Sequence, residues 1–274
     1  MSQPTWNGGD SLPDWSRIGW AGRMRIVMRV VPIALLIGLG LLVMLPLRLV
    51  ERAFAGQGRP VTPVITRIVC RLSLMVLGLR LRTHGTPMRE RGAVVANHVG
   101  WIDILTLNAA QQIYFVSKDD VATWPGIGYL ARVTGTLFIE RRSAQALEQK
   151  SLFETRLGAG HKLMFFPEGT STDGLRVLPF KSTLFAAFFS DALVDILSVQ
   201  PVSVVYTAPR GADPRFYGWW GDMDFGPHLL QVLAAPRQGS VDITFHPPVR
   251  VADFASRKLL AQHCETAVRS AFDR

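Results

Sequence analysis

The fold is decided by the stretch from residue 93 to residue 110, which reads AVVANHVGWIDILTLNAA. Its first four residues are small or β-branched and apolar, and this predicts a buried strand over Ala93–Ala96. The apolar residues that follow the glycine predict a helix over Ile102–Ala110. The residues between them form a strand-to-helix connection that carries a histidine, His98, and leads into an aspartate, Asp103.

The same alternation of short apolar runs with longer helical patterns continues to the end of the chain. The further strands are predicted at Ile113–Val116, Thr136–Ile139, Leu163–Phe166, Leu197–Val205 and Val241–Phe245. The further helices are predicted at Ala144–Leu157, Thr183–Ala192 and Phe254–Phe272. Strands that alternate with helices are typical of the α/β class. We therefore expect a mixed, largely parallel central sheet flanked by helices, with functional residues at the carboxyl ends of its strands.

The composition indicates contact with a lipid bilayer. Hydrophobic residues make up 48% of the 274 residues and charged residues only 19%, whereas a soluble domain carries about 25% charge. The net charge of +9 favours an anionic partner: nucleic acid, an anionic bilayer or a phosphorylated substrate. Because a nucleic-acid binder gains nothing from the apolar content, we expect a membrane partner and no nucleic acid. Cys70 and Cys264 lack metal-ligand spacing, which indicates buried side chains in a reducing, cytoplasmic setting.

The chain is predicted to divide into a flexible tail, residues 1–22, a pair of membrane-anchoring helices, residues 23–82, and one large domain, residues 83–274. The uncharged run Val30–Leu47 has 18 residues, close to the length of a bilayer-spanning helix. The stretch Val61–Leu81 has the amphipathic pattern of a helix that lies in the interface plane.

Prolines at positions 46, 60 and 63 predict a break between the two anchoring helices. Four interpretations of this region stay open: a cleaved signal peptide ending near Ala53-Phe54-Ala55, a buried core helix, full spanning, and shallow embedding of both helices. Arginines flank the apolar run on both sides, so their distribution leaves the orientation open.

His98 is a candidate general base. The unperturbed pKa of histidine is about 6.5, which suits the removal of a hydroxyl proton at neutral pH. A carboxylate at Asp103 can fold back toward the ring, orient it and stabilise the imidazolium that forms. Asn97 can cap the helix or hold the turn. The spacing is also typical of an ordinary turn histidine and a helix-start aspartate, so it does not separate the two interpretations.

A second segment, Phe165–Thr172, begins at the end of the predicted strand Leu163–Phe166 and reads FFPEGTST. Backbone donors and hydroxyl groups cluster in such a turn and can bind an anion or a polar head, although a plain loop with a helix cap gives the same pattern. Ser171 lacks the glycine two residues later that a nucleophilic serine elbow requires. No cysteine lies nearby either, so a covalent acyl-enzyme has no obvious carrier.

Basic residues form the third candidate feature. The segment Gly135–Arg142 ends in two arginines whose forked donors suit a phosphate group. Lys118 follows another predicted strand and can add a point charge. A solvated basic face is the alternative interpretation of both.

Taken together and in this order, these segments resemble the four sequence blocks of the glycerolipid acyltransferases, and most of all the bacterial 1-acylglycerol-3-phosphate acyltransferases and their lysophospholipid-acyltransferase relatives. The blocks are Asn97-His98-x4-Asp103, Gly135-x-x-Phe138-Ile139-Glu140-Arg141, Phe166-Pro167-Glu168-Gly169-Thr170 and Val199-Gln200-Pro201-Val202. The resemblance covers the chain from Val94 to Val205. Glu140 stands where many relatives have aspartate, and it keeps the charge.

The resemblance implies a role for each matching residue. His98 is the implied general base and Asp103 its partner. Glu168 and Gly169 are implied to bind the acceptor and hold the active site, and Arg141 to bind an acceptor phosphate. Pro201 belongs to a block linked to the acyl donor. The predicted substrate-binding residues are Asn97, Lys118, Gly135, Phe138, Arg141, Glu168, Gly169, Thr170 and Pro201.

The resemblance also implies the reaction, which moves a fatty acyl group from acyl-acyl carrier protein or acyl-CoA to the free hydroxyl of a lysolipid, without a metal or bound cofactor. It implies a place at the inner membrane with the catalytic domain facing the cytoplasm. The expected acceptor is 1-acyl-sn-glycerol-3-phosphate, which gives phosphatidic acid. The alternative acceptor is lyso-ornithine lipid, because the motifs at 171–174, 177–181, 219–223 and 227–228 resemble that branch. A non-catalytic basic membrane-surface protein and a lipid hydrolase are the rival classes.

Overall fold

The computed structural model describes Trp6, Gly8 and residues 18–56, 58–139 and 146–272. Over these residues, eight strands form one sheet, accompanied by seven α-helices. The helices are α1 Trp20–Ala55, α2 Thr62–Leu77, α3 Ile102–Ala110, α4 Ile127–Thr134, α5 Ala146–Gly158, α6 Phe225–Ala234 and α7 Arg257–Arg269. The strands are β1 Arg80–His84, β2 Gly92–Ala96, β3 Tyr114–Lys118, β4 Leu137–Ile139, β5 Lys162–Phe165, β6 Ser198–Thr207, β7 Ser240–Phe245 and β8 Val249–Arg250.

The sheet is mixed and largely parallel, as the alternating pattern predicts. Its strand order is β1-β7-β6-β2-β5-β3-β4, and β8 also pairs with β6. In the described sheet, β6 is antiparallel to β7 and β8, and the other pairs are parallel. The central strand β2 is buried along its whole length. Val94 and Ala96 face one core, Ala93 and Val95 face the other, and burial on both faces explains the continuous apolar run.

The two cores lie on opposite faces of the sheet. Side chains of α2, α3 and α6 fill the first, and side chains of α7 and of the segment before β6 fill the second. Cys70 lies in the first core and Cys264 in the second, both as free thiols. The prediction that both cysteines are buried side chains is confirmed.

One predicted helix takes a different form. The sequence predicts a helix over Thr183–Ala192, whereas the structure forms a 3-10 helix over Ser182–Phe189 that ends before Ser190. Phe185 and Phe188 are both fully buried there. A 3-10 helix brings side chains at positions i and i+3 into line, which places the two rings on the same core.

Four elements were not predicted, and one of them is the two-residue strand β8. The strand β1 reads RLRTH and is mostly exposed, so it shows no apolar run. Helices α4 and α6 are short, and their surroundings are rich in tryptophan, glycine and proline, which indicate loops.

The predicted break at Pro46 is wrong, because α1 continues through Pro32 and Pro46 to Ala55. The helix ends at Ala55, and the next residue, Gly56, has a φ of 57°, which suits a residue without a Cβ. Pro63 lies in the first turn of α2, where backbone N–H groups have no acceptor within the helix, so a proline there costs no hydrogen bond. The predicted amphipathic stretch Val61–Leu81 is divided at Gly78, where α2 ends and the chain turns into β1.

Helix α1 is long and apolar enough to cross a membrane, by length and composition. Only 6% of its most apolar window is buried, which rules out the interpretation as a core helix. Most of the predicted tail, residues 1–22, lies outside the described residues, and its residues 20–22 begin α1.

Candidate active site

The candidate site is built around the carboxyl end of β2, the central strand. The chain leaves β2 at Ala96, turns through residues 97–101 and enters α3. Asn97 is buried in this turn, and its amide donates to the carbonyl of Val204 and accepts from the N–H of the same residue, both at 2.8 Å. Because Val204 belongs to β6, Asn97 fastens the end of β2 to the neighbouring strand.

Asp103 orients the ring of His98. The carboxylate is 0% exposed, and its Oδ2 accepts from His98 Nδ1 at 2.7 Å. The backbone N–H groups of Val99 and Gly100 donate to the same oxygen at 2.8 and 3.1 Å. An ionised carboxylate only accepts, so Nδ1 carries the proton and Nε2 keeps its lone pair. This is the tautomer that a general base acting through Nε2 requires.

The second oxygen of Asp103 has a partner that sequence reasoning missed. The hydroxyl of Tyr206, in β6, donates to Oδ1 at 2.9 Å and lies 3.0 Å from the hydroxyl of Thr106. Four donors therefore surround the buried carboxylate and stabilise its charge. Tyr206 is 103 positions from Asp103 along the chain, and no local motif links the two.

The imidazole of His98 lies between the protein and the cleft. It stacks on the ring of Phe166, with centroids 3.9 Å apart and planes within 9°. Its side chain is 22% exposed. Thr172 donates its backbone N–H to the carbonyl of His98 at 2.9 Å. Phe166 thus covers one face of the ring, and Thr172 fixes the backbone of His98, while one edge of the ring stays accessible to substrate.

Glu168 holds the backbone of His98. Its Oε1 accepts from the N–H of His98 and its Oε2 from the N–H of Leu178, both at 2.7 Å. The side chain is 1% exposed, and this burial raises the pKa of Glu168 to about 8, even though both N–H groups act in the opposite direction. Both oxygens are engaged by the backbone, so the contact with acceptor that the resemblance implies for Glu168 remains a prediction.

A cleft of about 500 Å³ opens beside His98. Aromatic and aliphatic side chains form most of its wall and polar side chains the rest, with the exposed Asp120 and the half-buried Lys118 at its rim. The apolar members include Ile139, Phe153, Phe166, Leu184, Trp124, Trp219 and Trp220, and the polar members include Ser117, Lys118, Asp120, Thr170 and Ser171. A wall of this kind suits a fatty acyl chain, with the rim left for a polar head.

The structure brings only part of the predicted substrate-binding set to the cleft. Lys118, Gly169 and Thr170 line it. Gly135 instead ends α4 with φ of 90°, and its carbonyl accepts from Arg156 at 3.0 Å. Phe138 lies under the guanidinium of Arg132, 5.9 Å from ring centroid to Cζ.

Two predicted residues remain to be placed. Pro201 is buried in β6, opposite Val95 of β2, and does not line the cleft. Arg141 lies outside the described residues, two positions after Ile139, which lines the cleft.

Comparisons with known proteins agree with this chemistry. The Acyltransferase family model matches residues 80–205. A lyso-ornithine lipid O-acyltransferase from Rhodobacter capsulatus is 56% identical over 270 residues, which cover 98% of each chain. This chain belongs to the acyltransferase family. It is an O-acyltransferase that acts on lysolipids, and the expected family resemblance is confirmed, including the lyso-ornithine lipid branch.

Other acyltransferases are more distant. A lyso-ornithine lipid O-acyltransferase from Pseudomonas aeruginosa is 33% identical and covers 91% of this chain and 94% of its own. A 1-acyl-sn-glycerol-3-phosphate acyltransferase from Neisseria meningitidis is 31% identical over 67% of this chain and 71% of its own. The crystal structure of the 1-acyl-sn-glycerophosphate acyltransferase from Thermotoga maritima has a TM-score of 0.64 at 20% identity and covers 92% of this chain and 93% of its own. That likeness confirms the fold class.

Proposed function

We propose that this acyltransferase esterifies the hydroxyl of a lyso-ornithine lipid, with acyl-acyl carrier protein or acyl-CoA as donor. The observation that carries the proposal is the 56% identity to a lyso-ornithine lipid O-acyltransferase over nearly the whole chain, against 31% for enzymes that bear the glycerol-phosphate name. The phosphate-bearing acceptor, which is the main expectation from the sequence, takes second place.

The charges at the rim of the cleft support the same acceptor. Lys118 and Asp120 both line the cleft and have opposite signs. An acylated ornithine head carries a carboxylate and an ammonium group, whereas a lysophosphatidate head carries only negative charge. A rim with both signs complements the zwitterionic head, with Lys118 facing its carboxylate and Asp120 its ammonium.

The proposed reaction proceeds by direct transfer. The acceptor hydroxyl gives its proton to Nε2 of His98 as its oxygen attacks the thioester carbonyl. Asp103 stabilises the resulting imidazolium across the 2.7 Å contact. The tetrahedral intermediate collapses, the carbon–sulfur bond breaks, and the leaving thiolate takes the proton from His98. One ester and one free thiol result, and no metal or cofactor is used.

The contacts of α1 support a placement along the membrane surface. Near its start, Arg25 and Arg29 donate to the last carbonyls of α6 at 2.6–2.7 Å. Near its end, Glu51 accepts from the first residues of α2, and Arg71 of α2 donates to Ala109 of α3 at 2.8 Å. A helix of 36 residues is about 54 Å long.

Both ends of α1 therefore lie against the same domain, which cannot stand on both sides of a bilayer. The exposed leucines of its middle part would dip into one leaflet, with the cleft at headgroup level. We place this leaflet on the cytoplasmic side of the inner membrane, where thioester donors and free cysteines are found.

The acceptor is tested by presenting both candidates to the same enzyme. Purified full-length protein in vesicles is given labelled acyl thioester and either lyso-ornithine lipid or 1-acyl-sn-glycerol-3-phosphate, and kcat/KM is measured for each. We expect a higher value for lyso-ornithine lipid. A higher value for the phosphate acceptor would overturn the proposal and restore the expectation from the sequence.

A further inference from the structure

A second pocket, of about 610 Å³, lies far from His98. Its wall combines the connection between α1 and α2 with residues at the amino ends of β3 and β5. His98 follows the carboxyl end of β2, which is parallel to β5 and, through it, to β3. The pocket therefore opens at the opposite edge of the sheet from the catalytic cleft. We refer to it as the linker pocket, formed by Arg59, Arg67, Gln111, Tyr114 and Lys162.

Positive charge is concentrated around the linker pocket. The guanidinium groups of Arg59 and Arg156 lie over the ring of Tyr114, with Cζ 5.3 and 4.7 Å from its centroid. Burial, together with the nearby charges of Arg48 and Arg156, lowers the pKa of Arg59 to about 10. In the part of the chain that the structure describes, none of the pocket's cations forms an ion pair with a carboxylate.

The carboxylate of Glu51 is near this cluster but is already engaged. Its oxygens accept from the backbone N–H groups of Val61 and Thr62 and from the Thr62 hydroxyl, at 2.6–3.0 Å. Glu51 thus caps the start of α2. Its charge acts on Arg59, and that of Glu90 acts on Lys162, so two carboxylates offset part of the charge of five cations: Arg48, Arg59, Arg67, Arg156 and Lys162.

Two polar groups in the pocket wall have no hydrogen-bond partner among the described residues. Gln111 is only 4% exposed, and neither its amide nitrogen nor its amide oxygen is bonded. Nη1 of Arg59 is also buried without a hydrogen-bond partner among the described residues. Buried polar groups are nearly always satisfied, so donors left over in the wall of a basic pocket indicate an anionic ligand.

We propose that the linker pocket binds a phosphate group. The guanidinium of Arg59 can donate to a phosphate oxygen, and Gln111 can donate from its amide. Lys162, whose Nζ also donates to the carbonyl of Met88, adds a point charge. The phosphate can belong to the headgroup of a membrane lipid or to a soluble ion. The lipid source fits the surroundings better, because Ala55, the last residue of the apolar helix α1, lines the pocket, and the residue before it, Phe54, is 89% exposed.

The proposal is tested with the full-length protein and three variants. Arg59→Gln removes the central guanidinium, and Gln111→Leu removes the unpaired amide at nearly constant volume. Arg52→Gln is the matched control, since Arg52 is exposed in the last turn of α1 and does not line the pocket. Co-flotation measures binding to phosphatidylcholine vesicles with and without phosphatidylglycerol. Thermal unfolding in detergent, with and without inorganic phosphate, measures binding of the free ion.

We expect the unchanged protein to bind more strongly to vesicles that contain phosphatidylglycerol. Arg59→Gln should reduce this increase in binding about tenfold, and Arg52→Gln should reduce it clearly less. Gln111→Leu should also weaken the gain from phosphatidylglycerol, and this variant should unfold at the same temperature as the unchanged protein or higher. If the amide only stabilised the fold, its removal would lower the unfolding temperature. A phosphate-induced rise in unfolding temperature that Arg59→Gln abolishes would assign the site to a soluble phosphate. Equal effects of the two arginine variants, with no phosphate-induced shift, would overturn the proposal.

Discussion

Replacement of Asp103 by asparagine isolates the charge of the dyad from its geometry. The asparagine oxygen can occupy the position of Oδ2 and accept from His98 Nδ1 and from the two backbone N–H groups. The new amide nitrogen can then occupy the position of Oδ1 and donate to the hydroxyl of Tyr206. The ring of His98 therefore keeps its orientation and its tautomer, and only the negative charge is lost.

The size of the effect follows from the contact distance. With Nδ1 and Oδ2 2.7 Å apart, the centres of the two charges are roughly 4 Å apart, and at an effective dielectric constant of about 20 their attraction is about 4 kcal/mol. This attraction exists only once His98 has taken the proton, so it stabilises the transition state and not the ground state. We expect Asp103→Asn to lower kcat about a thousandfold. KM should change little, because Asp103 does not line the cleft.

The assay follows thiol release at saturating donor and acceptor. Asp119→Asn is the control, since Asp119 is exposed, lies outside the cleft lining and undergoes the same chemical change. Unfolding measurements confirm that the Asp103 variant is folded. A loss in kcat smaller than about tenfold, in a folded variant, would refute the role of the carboxylate charge.

Three further predictions concern the groups around His98 and Asp103 and in the cleft. Tyr206→Phe removes a hydrogen bond to a buried charge and should lower the free energy of unfolding by about 1.5–3 kcal/mol; chemical denaturation that detects no loss would contradict the contact. The pKa of Glu168 is about 8 in the folded protein, against an ordinary 4.5, so the unfolded chain loses this proton first. The free energy of unfolding should therefore fall by about 1.4 kcal/mol per pH unit between those values, relative to Glu168→Gln, and parallel pH curves for the two proteins would contradict it. Asp120→Asn should lower kcat/KM for lyso-ornithine lipid about tenfold and leave lysophosphatidate unaffected or improved, and equal losses would argue against recognition of the ammonium group.

The dyad could be predicted from sequence because its geometry is local. His98 and Asp103 are five positions apart on one strand–turn–helix segment, and that segment folds as its pattern predicts. The role of Tyr206 could not be predicted, since it depends on the placement of β6 beside β2. The partners of Glu168 are backbone N–H groups of His98 and Leu178, which carry no residue-specific signal.

The fold shows the same division between local and distant causes. Buried strands such as β2 have a continuous apolar run, and their prediction is confirmed. The exposed strand β1 is formed by pairing with β7, which lies about 160 positions further along the chain. Pro46 of α1 predicts a break by local rules, but the helix is held at both ends by contacts with α6 and α2.

The central claim is that His98 removes the proton of the acceptor hydroxyl, and its most direct test is the rate of acyl transfer by His98→Ala in vesicles. Loss of a general base should lower kcat by about 10²–10⁴-fold, while flotation with the vesicles stays unchanged because α1 and α2 are intact. Added imidazole should restore part of the rate by entering the space next to Phe166. A variant that keeps more than about a tenth of the original kcat would contradict the claim.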